Sequence, residues 1–213
     1  HDLRKILTSA QLFTDRIESS DDPLVKRMAP KLVGSITRAV NLCETTLAFG
    51  RVDEPAPTLT RVNLSGIIGD VIESERLAAA EHPLTIKDVS VAPLSIRGDG
   101  EQLFRVLFNL VRNARQAIVA TNEPGEILIE TSEDETAWTI RVKDNGPGLP
   151  PKAKEHLFSP FKGGVRKGGS GLGLTIASDL VRGHGGTLEL EHSDDAGTVF
   201  VINLPKGVVT LSE

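Results

Sequence analysis

Apolar residues recur at steps of three and four from the start of the chain: Leu3, Ile6, Leu7, Ala10, Phe13 and Ile17. That spacing predicts an amphipathic helix over residues 1–19. Ser19-Ser20-Asp21-Asp22-Pro23 reads as a turn. A second run, Val25, Met28, Leu32, Ile36, Ala39, Cys43 and Leu47, makes a seam close to the heptad kind. Pro30 lies inside it and predicts a kink or a restart. Two antiparallel helices with a short connection form a hairpin, which alone buries little. Pairing two hairpins into a four-helix bundle covers the seam. Gly50 to Pro57 reads as a linker, with Gly50 as helix stop and prolines at Pro55 and Pro57.

Beyond the linker the period alternates between that of strands and that of helices. Residues 58–62 predict a strand, and Asn63-Leu64-Ser65 the start of a helix to about Glu81. Leu84 to Val89 and Leu94 to Arg97 read as short strands. Asp99 is placed to cap a helix that runs to about Ala120. Its apolar stripe is Leu103, Val106, Leu107, Leu110, Val111, Ala114 and Ile118, while Arg105, Asn109, Arg112, Asn113 and Gln116 fall on the other side. Glu126 to Glu130 and Thr136 to Lys143 alternate as a pair of strands. A helix is expected over Gly171 to Gly183, and Thr187 to Glu191 with Thr198 to Leu204 as a closing hairpin.

Composition narrows the function classes. The 213 residues suffice for a helical segment plus one ordinary domain, and 39% hydrophobic content can fill a core. A net charge of −5 argues against a nucleic-acid partner. The single cysteine, Cys43, excludes a disulfide framework and a cysteine-based zinc site, and reads as a small buried hydrophobe. No apolar run reaches the length of a membrane span, and no signal peptide opens the chain. The expected location is cytoplasmic. Opening on His1 rather than methionine, the chain reads as a fragment, with membrane attachment only through a sensor region preceding it.

The chemistry concentrates between Lys143 and Leu174. The stretch reads K-D-N-G-P-G-L-P, then H-L-F-S-P-F, then a basic loop, then G-G-S-G-L-G-L. Glycine lets a backbone approach a ligand where a Cβ would block it. A glycine-rich helix start offers free N–H groups and the positive end of the dipole to phosphate. Asp144 is an acceptor-only carboxylate that can take a hydrogen bond from a base edge. Three familiar nucleotide motifs do not fit. A P-loop needs a lysine that Gly163 to Ser170 does not place, and a dinucleotide fingerprint would have its third glycine at Leu174 and lacks a preceding strand. The protein-kinase glycine loop lacks its partner motifs.

The pattern instead resembles the ATP-binding domain of sensor histidine kinases. D-N-G-P-G resembles their first glycine box, L-F-S-P-F their phenylalanine box and G-S-G-L-G-L their second glycine box. Asn109-Leu-Val-Arg-Asn113-Ala resembles their asparagine box. Ordinary turn chemistry accounts for each motif alone but not for their order. The resemblance implies a helical hairpin that dimerises as a four-helix bundle, followed by an α/β sandwich of the histidine kinase ATPase type. The expected divisions are a dimerisation and histidine-phosphotransfer hairpin over 1–52, a linker over 53–57, a catalytic ATP-binding domain over 58–207 and a tail over 208–213.

By resemblance, Asn113 is the magnesium ligand and Asn109 a phosphate or metal-water contact, both on one helix face. An amide oxygen suits magnesium, which takes few protein groups and leans on phosphate oxygens. Arg112 accompanies them near the anion site. Asp144 reads the adenine amino group, with Gly146 and Gly148 shaping the base pocket. Gly169, Ser170, Gly171, Leu172 and Gly173 form the glycine turn that admits the phosphates. Lys162, Arg166 and Lys167, in the segment expected to be a mobile loop, are candidates to neutralise the triphosphate, although a basic surface loop is also common. Phe158 and Phe161 are expected to anchor that loop to the core.

His1-Asp2-Leu3-Arg4 resembles the family's phosphoacceptor box. A neutral imidazole is a good nucleophile, and Asp2 is the carboxylate placed to support it. The alternative is that His1 is a tag remnant or a frayed terminus, but the acid and the amphipathic run that follow it at once favour the acceptor. The box departs from the family at Lys5, where threonine or asparagine is usual, and at Ile6, where proline is frequent. Charged lysine cannot accept a proton from water, so weak phosphatase activity is expected. The implied function is ATP-dependent autophosphorylation of His1, with ATP and Mg2+, then transfer to an aspartate of a response-regulator receiver by a homodimer. Two alternatives are a phosphotransfer or docking module with the ATP domain as scaffold, and an ATPase machine of the same superfamily. The latter carries a glutamate base where this chain has Asn109, and an amide cannot take a proton from water.

Overall fold

The computed structural model describes residues 55–79, 82–159 and 172–207. The expected hairpin over 1–52, with its seam, Pro30 and Cys43, and the tail over 208–213 lie outside the described residues. Numbered among the described residues, the order is β1 (Thr60–Asn63), α1 (Leu64–Ala79), β2 (Leu84–Asp88), β3 (Ser95–Gly98), α2 (Gly100–Val119), β4 (Gly125–Glu133), β5 (Ala137–Asp144), α3 (Pro151–Glu155), α4 (Gly173–Gly183), β6 (Thr187–Asp194) and β7 (Gly197–Pro205).

Five strands form one sheet in the order β2-β4-β5-β7-β6. The β2–β4 pair is parallel and the others are antiparallel. A parallel pair needs a crossover connection, and here β3 and α2 supply it. The two short strands expected around residues 84–97 therefore do not pair with each other. β3 instead pairs antiparallel with β1 in a separate two-stranded sheet. Local pattern specifies that a segment is a strand, but partner choice is settled by packing.

Helix α2 is the centre of the helical layer, with α1 on one side and α4 on the other. Asp99 caps it, its Oδ1 accepting from the backbone N–H groups of Glu101 and Gln102 at 3.1 Å each. The seven stripe residues read from the sequence are all buried, from Leu103 to Ile118. They meet Ile127, Ile129, Ile140 and Val142 on the helix-facing side of the sheet, all in the same core. Burial on β5 follows the period of two: Trp138, Ile140, Val142 and Asp144 are buried, while Thr139, Arg141 and Lys143 are not. A partly buried ion pair ties α1 to α2, with Arg115 Nε 2.5 Å from the buried Glu75 Oε2. Removing Arg115 would leave the buried Glu75 charge unmatched, at a cost of about 3–5 kcal/mol.

Several boundaries differ from the sequence reading. β6 runs on to Asp194 through a bulge near Glu191, and β4 to Glu133. The short helix α3, opened by Pro151, was not anticipated; five residues are too few for a helical period to register. Phe158 packs against the core as expected, and its carbonyl accepts from Thr175 Oγ1 at 3.2 Å. Phe161 lies outside the described residues. Among the described residues no helix is long and apolar enough to cross a membrane.

Candidate functional site

Asp144 is the last residue of β5 and occupies the buried face that Ile140 and Val142 share. The alternation that fills the core thus delivers a carboxylate to the sheet's end, 6% exposed. Its Oδ1 accepts from the N–H of Gly146 at 2.9 Å. This is the local turn contact open to any aspartate before a turn. Here it also aims the carboxylate back over the loop that leaves the strand. Gly146 sits so close that a methyl group there would lie 2.8 Å from Asp144 Oδ1 and 3.6 Å from the Ala117 Cβ of α2. Gly148 has φ +68°, and a methyl group there would stand 2.0 Å from the Asp194 carbonyl oxygen. Gly148 is therefore required by the backbone as folded, and Gly146 by the position of the Asp144 carboxylate.

The asparagine motif lies on α2. Asn109 and Asn113 are half-buried, as are Arg105, Arg112 and Gln116, so this side of the helix is not a freely solvated face. At the start of α4, a methyl group on Gly173 would come within 3.1 Å of Asn109 Oδ1. Asn109, Asn113 and Ala117 are spaced four apart and share one face of α2. One end of this face meets the second glycine motif at Gly173, and the other meets the first at Gly146. Eight residues of helix separate the ends by about 12 Å. Leu172, fully buried, precedes α4, and its carbonyl accepts from Ile176 N–H. The N–H groups of the first turn of α4 begin beside Asn109, a position suited to an anion.

The structure therefore brings Asn109 to Gly173 at one end of a helix face and Ala117 to Gly146 and Asp144 at the other, with Asn113 between them. Arg112 is on the same helix. His1, Asp2, Lys162, Arg166, Lys167, Gly169, Ser170 and Gly171 lie outside the described residues. Sequence reading missed Thr198, which is 5% exposed and the register partner of Asp144 on β7. Its hydroxyl lies 3.3 Å from Ser193 Oγ. No spacing rule links positions 144 and 198; only strand pairing does. Among the described residues no cluster of three or more His, Cys, Asp or Glu side chains could hold a metal.

Residues 98–208 match the family described as histidine kinase-, DNA gyrase B-, and HSP90-like ATPase. The chain is 32% identical over 214 residues to the probable sensor histidine kinase TcrY of Mycobacterium tuberculosis, covering 96% of this chain and 44% of that protein. It is 31% identical over 216 residues to the sensor histidine kinase RppB of Synechocystis, covering 96% and 47%. The chain thus spans about half the length of the curated relatives it matches. Full-length ShkA, solved in complex with AMPPNP, shares the fold with a TM-score of 0.75 at 24% identity, over 98% of this chain and 45% of that one. Histidine kinase ThkA, solved in complex with the response regulator protein TrrA, aligns with a TM-score of 0.66 at 27% identity, over 97% and 59%. By its matched segment, its fold and the relatives it resembles, the chain belongs to the histidine kinase-, DNA gyrase B- and HSP90-like ATPase family, as a catalytic core of the sensor histidine kinase type.

Proposed function

We propose that this chain binds ATP between the two glycine motifs, phosphorylates His1 and passes the phosphoryl group to an aspartate of a response-regulator receiver. The observation that carries the reading is the face Asn109–Asn113–Ala117, which joins Gly173 at one end to Gly146 and Asp144 at the other. Asp144 accepts from the exocyclic amino group of the base, in a pocket that Gly146 and Gly148 keep narrow. The start of α4 and the turn Gly169 to Gly173 present N–H groups to the phosphates. Arg112, with Lys162, Arg166 and Lys167, offsets their charge. Phosphoryl transfer depends on positioning and charge stabilisation more than on covalent help from the protein. His1 attacks in line, and Asp2 holds the other ring N–H and stabilises the imidazolium formed.

The amide oxygens of Asn109 and Asn113 are hard donors that fit Mg2+, which keeps waters and takes phosphate oxygens. Asn113 would hold the ion, and Asn109 would hold one of its waters or a phosphate oxygen. When bound, the ion offsets charge on the phosphates. A family member whose main task is hydrolysis needs a carboxylate base, and Asn109 cannot serve as one. The relative crystallised with its response regulator supports the receiver as partner. The proposed divisions are a dimerising hairpin over 1–52, a linker over 53–57, the ATP domain over 58–207 and a tail over 208–213.

The test is incubation with γ-labelled ATP and magnesium, followed by mapping of the labelled residue. Label is expected on His1, stable to base and labile to acid. Asn113→Ala and Asp144→Ala are each expected to abolish it, the first through the metal and the second through the base. Label on another residue, or ATP binding by Asp144→Ala equal to that of the wild type, overturns the respective assignment.

A further inference from the structure

Asp144 ends β5, and the chain leaves the sheet at the next residue. On antiparallel strands, opposed residues alternate between pairs that exchange two backbone hydrogen bonds and pairs that exchange none. Ile127 is the register partner of Asp144, so the next opposed pair is Glu126 with Asn145. That pair makes two bonds, of which one is backbone to backbone: the N–H of Asn145 donates to the Glu126 carbonyl at 3.2 Å. The return bond goes to the side chain. The N–H of Glu126 donates at 2.8 Å to Asn145 Oδ1, which stands where the main-chain carbonyl of a continuing strand would accept. A backbone N–H can only donate, so the amide atom that faces it is the oxygen.

This exchange lets the ladder run one step further while the main chain turns away from it. Short side chains with an oxygen suit such a place, because they can imitate a backbone acceptor. The turn that follows is enclosed. The N–H of Gly146 donates to Asp144 Oδ1 at 2.9 Å. A methyl group on Gly146 would lie 3.4 Å from Ile118 and 3.6 Å from Ala117 of α2. From the β7 side, a methyl group on Gly197 would lie 1.9 Å from the Asp144 carbonyl oxygen and 3.0 Å from the Asn145 Cα. Where the main chain goes at Asn145 therefore sets where the Gly146 N–H points, and that N–H holds the Asp144 carboxylate. Asn145 itself is exposed, so its side chain fills no core.

We propose that Asn145 is a positioning residue of the base pocket: by pinning the start of the glycine turn to Glu126, it places the Gly146 N–H that orients the Asp144 carboxylate towards the amino group of adenine. It acts through Gly146 and Asp144. The inference rests on the reading of Asp144 as the base-binding carboxylate.

The experiment measures calorimetric Kd values of the whole chain for ATP and for purine riboside triphosphate, together with the melting temperature. The second nucleotide carries the same triphosphate and lacks the exocyclic amino group, so the ratio of the two Kd values reads the contact with that group. Asn145→Ala is expected to weaken ATP roughly fivefold, the scale of one hydrogen bond, while changing the analogue little. Its melting temperature is expected to stay near that of the wild type. Asn145→Asp keeps an oxygen that accepts from Glu126 and is expected to restore the ratio, since repulsion by its charge falls on both triphosphates alike. A loss that falls equally on both nucleotides, or a ratio that Asn145→Asp fails to restore, overturns the role of Asn145. Asp144→Ala separates the two levels. If it abolishes the preference for ATP and Asn145→Ala leaves that preference unaltered, the role of Asn145 fails alone. If Asp144→Ala leaves the preference intact, the base-pocket reading fails and the role of Asn145 with it.

Discussion

Gly148 and Gly173 are required for different reasons, and the difference is measurable. Gly148 combines φ +68° with the Asp194 carbonyl where a methyl group would go, so any side chain there is opposed by backbone. Gly148→Ala is expected to lower stability by about 1–3 kcal/mol or more, read as a lower melting temperature. Gly173 has ordinary helical geometry, and the atom its methyl would meet is the Asn109 side-chain oxygen at 3.1 Å. A side chain can give way, and alanine favours helix over glycine by up to about 1 kcal/mol. Gly173→Ala is therefore expected to keep or raise the melting temperature while weakening ATP several-fold, because the Asn109 amide is displaced. Unchanged ATP affinity in this variant would mean that Asn109 and Gly173 do not serve one site.

At the level of elements, the start of α2 does more than begin a helix. Asp99 Oδ2 accepts from the N–H of Thr58 at 3.0 Å, and its own N–H donates to His184 Nε2 at 3.0 Å. That donation leaves the ring proton on Nδ1, which donates to the Leu180 carbonyl at 2.8 Å. Gln102 Nε2 reaches the Pro55 carbonyl at 2.9 Å. The end of the expected linker, the cap of α2 and the end of α4 are therefore held at one point. The N–H groups of Gln102, Thr58 and Glu101 hold the Asp99 carboxyl below its ordinary value, against partial burial that raises it. A carboxyl depressed on folding stabilises the fold above the unfolded value, about pH 3.9. That contribution is lost as pH falls through the folded value. Asp99→Asn keeps a capping side chain but not the charge. Its urea midpoint is expected to lie below that of the wild type at pH 7, with the gap closing as pH drops below 4. A gap that widens in acid would contradict this.

For the molecule as a whole, the seam Val25, Met28, Leu32, Ile36 and Cys43 is the sequence's argument for self-association. One hairpin cannot bury such a seam, and a second copy can. Light scattering of the whole chain at micromolar concentration is expected to give a dimer, and Ile36→Glu a monomer that still binds ATP. A monomeric wild type would remove the seam's proposed role. Retained ATP binding by the monomer is part of the expectation, because Asn109, Asn113, Asp144 and Gly173 belong to residues 98–208, the matched family segment.

By itself, the sequence determined the period of each long element and the chemistry of each motif. The α2 stripe was legible because a 3.6-residue repeat sustained from Leu103 to Ile118 suits a helix and no strand. Asp144, Asn109, Asn113 and the glycines stood out because unusual residues cluster at short range. Tertiary structure decided which strands pair, and with that which distant residues share a row. β3 chose β1 over β2, and Thr198 and Ser193 came to stand beside Asp144 across about fifty residues of chain. Periodicity fixes which face a side chain takes within its own strand. Its neighbour across the sheet is chosen by the packing of α1, α2 and α4 on one buried layer, a sum over many contacts that no local pattern carries.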